Sequence, residues 1–104
     1  MKYTDILEIK PKILKQEERD FYFENGYLLL ESIVTDEWLD ILRKTTNKKI
    51  ENSKELSESN EVYDLDNGHT AKNPRLRRLS SPNDHDENYW KYASLFLPNI
   101  VSDL

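Results

Sequence analysis

The stretch from Asp66 to Pro82, DNGHTAKNPRLRRLSSP, constrains this chain more than any other. It follows neither the 3.6-residue period of a helix nor the two-residue alternation of a strand. It holds one of the two glycines and two of the four prolines, with His69 and an arginine cluster between them. Residues before it read as amphipathic scaffold, and residues after it as one more helical segment. Binding groups concentrate in loops of this chemistry. The plainer alternative is a solvated connector between helical parts.

A chain of 104 residues supports a single domain with a modest core. Charged residues make up 34 % and mean hydropathy is -0.85, polar for a self-sufficient globule. Two Trp, six Tyr and three Phe still supply core-forming bulk, so wholesale disorder is not expected. A net charge of -5 argues against nucleic acid as the main partner. The arginines lack the basic groove and aromatic platform that single strands need. With no cysteine, disulfides and thiolate metal sites are excluded. The longest apolar run, Tyr27 to Leu30, is far too short to cross a membrane. The charged start, Met1 to Asp5, lacks a signal-peptide core. The expectation is a cytoplasmic protein without membrane or nucleic-acid partners.

Residues Met1 to Pro11 read as extended or loosely held, since Pro11 disfavours helix at Lys10. A first helix is expected from about Lys15 or Gln16 to Glu24, with Phe21 and Tyr22 as its bulky side, stopped by Asn25-Gly26. Tyr27-Leu28-Leu29-Leu30 suits a strand covered on both faces, though it needs neighbours the chain hardly supplies. Thr35 is the expected N-cap of a second helix, with Asp36 and Glu37 favouring its positive end. Leu39, Leu42, Thr46 and Ile50 form that helix's inward stripe, widened by Trp38. The pattern fades through Asn52 to Asn60, a fraying end and mobile link. Val62 to Leu65 alternates weakly, as a short strand would. After a turn at Pro82-Asn83-Asp84, Asp86 caps a helix from Glu87 to about Phe96. Tyr89, Trp90, Ala93 and Phe96 or Leu97 are expected inward. Pro98 opens a further helix that is expected to run to Leu104 without a cap, so the chain reads as ending inside an element.

His85-Asp86-Glu87 spells a pattern used by iron centres built from two histidines and a carboxylate. Asp86 is more economically a cap, and the second histidine, His69, lies in a loop, so no metal ligands and no catalytic residues are assigned. One glycine at Gly68-His69-Thr70 cannot build a phosphate nest. Arg75, Arg77 and Arg78 are the sharpest polar feature. Strict alternation would put Arg75 and Arg77 on one side and Arg78 on the other. They form either a clamp for a carboxylate or phosphate or surface pairs with Asp64, Asp66, Asp84 and Glu87, which contribute little stability.

The run from Asp66 to Pro82, followed by Tyr89-Trp90, resembles the N-terminal region of the phytanoyl-CoA dioxygenase family. The opening agrees: a helix ending Phe23-Glu24-Asn25-Gly26-Tyr27, a short apolar strand, then a helix after Thr35-Asp36-Glu37. The resemblance spans most of the chain and implies an α+β fold. In it, residues 1–104 form a single partial domain, a mainly helical flank with one or two short strands of a double-stranded β-helix (jelly-roll) whose barrel core is missing. It implies an Fe(II)- and 2-oxoglutarate-dependent oxygenase hydroxylating a small-molecule or acyl substrate. The family's iron pair, distal histidine and 2-oxoglutarate cation belong to a later part of its chain, so no cofactor is expected on these residues and the chain as given is expected to be inactive. His69, Arg75, Arg77 and Arg78 are the candidate substrate contacts. The alternative is a small helical protein-interaction module with a protein partner and no catalysis.

Overall fold

The structure, a computed structural model, describes residues 2–104. It is α+β, about half helical with one two-stranded antiparallel sheet among the described residues. It divides into two compact units. One joins the described residues up to Ile33 with Tyr92–Leu104, and the other is Val34–Lys91.

The first unit opens with α1 (Tyr3–Glu8), whose first turn closes when the Asp5 carboxylate accepts the Lys2 N–H at 2.9 Å. The expected loose arm is therefore helical, although it stops before Lys10 and Pro11 as anticipated. In α2 (Gln16–Asn25) the Glu18 carboxylate likewise accepts the Lys15 N–H at 2.9 Å. Gly26, at φ 78°, turns left-handed and returns its N–H to the Tyr22 carbonyl at 2.7 Å. That backbone region penalises a Cβ, which is why glycine ends this helix.

Tyr27–Leu30 lies in neither a helix nor a sheet among the described residues, so the covered strand expected there is not formed. An apolar run becomes a strand only when a partner satisfies its backbone. Instead Tyr27 and Leu29 are 62 % and 74 % exposed, with Phe21 meeting Tyr27 edge-on at 5.3 Å between ring centroids. Phe21, on the bulky side of α2, is itself exposed.

The interior of this unit is organised by charge. Among the described residues its buried apolar side chains are Leu14 and Ile100; Arg19 and Asp103 are buried as well. Arg19 Nε donates to the Asp103 carbonyl at 2.7 Å, Nη1 to the Ile9 carbonyl at 2.7 Å and to Gln16 Oε1 at 3.2 Å, and Nη2 to the Ile6 carbonyl. The Asp103 carboxylate accepts the backbone N–H groups of Lys12, Ile13 and Leu14 at 2.7, 2.8 and 2.9 Å. These bonds tie α1, the Lys12–Leu14 bend, α2 and the turn after α6 (Leu97–Val101) to one another. The helix expected to run uncapped to Leu104 instead closes at Ser102, whose N–H reaches the Pro98 carbonyl at 2.8 Å.

Burial opposes the charge on Asp103, but the three N–H donors and the Arg19 cation outweigh it and hold the carboxyl below its ordinary value. A depressed carboxylate stabilises the folded state fully above its unfolded pKa and loses that contribution as pH falls through the folded value. Protection of the Lys12, Ile13 and Leu14 amides from hydrogen exchange is therefore expected to hold at neutral pH and to fall below about pH 4, the ordinary carboxylate range. An Asp103→Asn variant should lack that acid step.

Before α6 the chain passes through a π-helical turn, Tyr92–Phe96. The wider turn shifts the helical phase, so Ala93 and Leu97, expected inward, are exposed while Phe96 is half-buried.

In the second unit, Thr35 caps α3 (Asp36–Ser53), its Oγ1 accepting the Trp38 N–H at 3.2 Å. The expected stripe of Trp38, Leu39, Leu42, Thr46 and Ile50 is covered, and Thr45 and Ser53 on the same face are buried. The face is partly polar because it meets α5 (Glu87–Lys91) through hydroxyls. Thr46 Oγ1 and the Tyr89 hydroxyl lie 2.7 Å apart, and Asn88 Nδ2 donates to Thr45 Oγ1 at 3.0 Å. With Asn88 and Tyr89 facing α3, Trp90 lies 55 % exposed rather than inward. Asp86 caps α5 as anticipated, its carboxylate accepting the Asn88 N–H at 2.8 Å. The turn at Pro82 is a short helix, α4 (Pro82–His85).

The segment read as a mobile link is bonded at its far end. Asn60 Oδ1 accepts the N–H groups of Val62 and Tyr63, both at 2.9 Å, and Ser59 Oγ that of Leu65 at 2.9 Å. They hold the start of β1 (Tyr63–Leu65), which pairs antiparallel with β2 (Leu76–Leu79). A strand thus lies inside the stretch that showed no period, and it pairs with the short strand expected at Val62 to Leu65.

Candidate functional site

All four residues singled out above lie on the hairpin, but it gathers only Arg77 and Arg78 at one carboxylate, with His69 against the Arg75 backbone. In its register Tyr63 faces Leu79, Asp64 faces Arg78, and Leu65 faces Leu76, which leaves Arg77 as the extra residue of a bulge. Strict alternation would have put Arg77 and Arg78 on opposite sides. The bulge cancels that step, and both guanidinium groups reach Asp64. Arg77 donates to Asp64 Oδ2 through Nε at 3.1 Å and Nη2 at 2.9 Å. Arg78 Nε lies 2.9 Å from the same oxygen. Hydrogen bonding from Arg77 lowers the Asp64 pKa against the opposing effect of burial, helped by the charges of both arginines. The side chain of Asp64 is 17 % exposed against 63 % for Arg77 and 70 % for Arg78. The carboxylate is thus a covered anchor under two exposed cations.

Arg75 pairs separately with Asp66, Nη2 to Oδ2 at 3.0 Å. The pairing with Asp64 and Asp66 weighed from the sequence is present. Glu87 is paired elsewhere, with Lys91 at 2.8 Å.

His69 is a latch within this unit. Its Nδ1 accepts the Arg75 N–H at 2.8 Å, so the ring proton belongs on Nε2, which donates to the Ser53 carbonyl at 2.8 Å. That carbonyl, at the end of α3, also accepts the Leu56 N–H at 3.0 Å, so the imidazole is its second donor. The latch fastens the hairpin loop to the end of α3. The loop is further closed by Asp66 N–H to the Arg75 carbonyl at 2.8 Å and Thr70 N–H to the Asn73 carbonyl at 3.2 Å. Gly68 adopts φ 82° at the bend, and a Cβ there would touch the Arg75 side chain at 3.6 Å.

Against the hairpin lies a cavity of about 270 Å³. Its floor is apolar, from Ile50, Leu76, Leu79 and Pro82; Arg77 and Arg78 border it, and the Thr46–Tyr89 hydroxyl pair supplies its polar point. Tyr89 and Thr46 were read from the sequence as core residues, and nothing in their spacing marked this hydroxyl contact. His69 and Arg75 do not line this cavity. His69 borders a separate polar hollow with Asp66 and Gly68.

His85 ends α4, and its carbonyl accepts from Lys49 Nζ at 3.5 Å. Among the described residues no three His, Asp or Glu side chains converge as metal ligands. These residues therefore do not fit an iron centre, and no chemistry is derived through one. No helix among the described residues is long and apolar enough to cross a membrane. No protein-family model, curated protein or solved structure matches the chain.

Proposed function

We propose that this chain is the N-terminal flank of a cytoplasmic Fe(II)- and 2-oxoglutarate-dependent dioxygenase of the phytanoyl-CoA dioxygenase type, without iron ligands of its own. The hairpin would sit near the mouth through which a small-molecule or acyl substrate reaches a barrel supplied by other residues. The observation that supports this reading most is the Tyr27–Leu30 segment. It is apolar and outside any helix or strand, and the backbone of Tyr27, Leu28 and Leu29 hydrogen-bonds to none of the described residues. Such an edge is suited to a neighbouring strand. The short buried apolar set, Leu14 and Ile100 among the described residues, fits a scaffold piece better than a free-standing enzyme. Anaerobic titration of the 104-residue chain with Fe(II) and 2-oxoglutarate is expected to show no saturable binding. Saturable iron binding that disappears in His85→Ala would overturn the reading.

A second reading, an interaction module without chemistry, is favoured by a groove of about 470 Å³ in the first unit, lined by Phe21, Tyr27, Leu28 and Leu29 with Glu17 and Glu18 at its rim. A stoichiometric protein complex abolished by Leu29→Asp would favour it.

A further inference from the structure

We propose that the cavity beside the hairpin binds a small monocarboxylate carrying a compact apolar body. This goes beyond the dioxygenase reading and does not depend on it, because every group involved belongs to the second unit. Three features of the site define the ligand.

The first is charge. Two guanidinium groups share one carboxylate, Asp64, so the cluster keeps a single net positive charge. That matches a monoanion better than a dianionic phosphate. The second is donor geometry. The closest approach of Arg78 to Asp64 is through Nε. The Nη1/Nη2 edge of Arg78 is engaged by none of the described residues, and the outer edge of Arg77 is likewise open. A guanidinium edge offers two parallel N–H donors at the spacing of carboxylate oxygens. Asp64 does not merely consume the cations. It holds both side chains against the bulge and so reduces the ordering cost when an anion arrives.

The third feature is the body of the cavity. Ile50, Leu76 and Leu79 cover the floor, and the volume of about 270 Å³ lies just below the range of drug-sized ligand clefts, roughly 300–1,000 Å³. A ligand of a few carbons fits; a long acyl chain does not. The Thr46 and Tyr89 hydroxyls share one hydrogen bond between them, which leaves one O–H free to donate to a polar atom of the ligand.

The test is an amide chemical-shift titration of the whole chain with hexanoate, hexanamide and inorganic phosphate. Hexanoate is expected to give saturable shifts concentrated at Thr46, Ile50, Leu76 to Leu79 and Tyr89. Hexanamide has the same body without the charge and is expected to bind at least tenfold more weakly. Phosphate has charge without the body and is expected to give no saturable shift. Arg78→Gln should weaken hexanoate at least tenfold with the spectrum otherwise retained, while Lys44→Gln, an equal charge change at an exposed position of α3 that does not line the cavity, should not. Absence of saturable shifts with hexanoate would overturn the proposal. So would equal binding of acid and amide, phosphate binding as tight as hexanoate, or saturable shifts centred elsewhere. The comparison among the three probes uses the unmodified chain and holds even if the arginine variant misfolds.

Discussion

Replacing Arg19 with alanine is expected to remove on the order of 3–5 kcal/mol of stability, the cost of taking one member from a buried charged constellation. The carbonyls of Ile6, Ile9 and Asp103 would lose their common donor. The buried Asp103 carboxylate would keep its three N–H partners but lose the nearby cation. Against a total of roughly 5–15 kcal/mol for an ordinary domain, that is a large share. The effect should be confined to the first unit. Hydrogen exchange read by peptide should show residues 3–33 and 92–104 losing protection while residues 34–91 keep theirs. Arg19→Lys is expected to recover only part, because one ammonium cannot present the planar fork that meets three carbonyls. Equal loss in both units, or none in either, would contradict the lock.

The second large effect is expected from His69→Ala. The imidazole satisfies the Arg75 N–H and adds a second donor to the Ser53 carbonyl, which keeps the Leu56 N–H without it. Leaving one such amide without a partner costs about 1–3 kcal/mol when buried, and water takes over part of that on the exposed side of the loop, so a loss of about 1 kcal/mol is expected. The most direct sign is faster exchange of the Arg75 amide with little change at the Leu39 amide in the first half of α3. His69→Gln should restore part of the protection, since its carboxamide carries both a donor and an acceptor. Unchanged exchange at Arg75 in His69→Ala would show that the latch carries no load.

What could be read from the residues alone was local. Thr35, Gly26 and Asp86 announce helix ends because a cap is decided within one turn of chain, and all three act as expected. The α+β class came with the family resemblance rather than from such signals. The hairpin was hidden because its second strand carries a bulge: Leu76-Arg77-Arg78-Leu79 has no alternation to detect, and the same bulge overturned the placement of Arg78 opposite Arg77. Tyr27–Leu30 failed in the other direction, since its composition favours a strand while no partner strand exists among the described residues. Arg19 was invisible for a different reason. Its acceptors are main-chain carbonyls and a neighbouring glutamine, and no pattern of residue types identifies a carbonyl many positions away. The arginine–aspartate pairing was legible as a list of partners, but not as the wall of a cavity, because the apolar floor comes from α3 and β2 together.

The dioxygenase-flank proposal is tested most directly by sequencing the messenger RNA that carries these codons, reading in frame past the codon for Leu104. The expected result is an uninterrupted frame encoding an H-x-D pair, then a distal histidine and an arginine, in segments with strand alternation. A stop codon immediately after Leu104, with no such frame downstream, would contradict it.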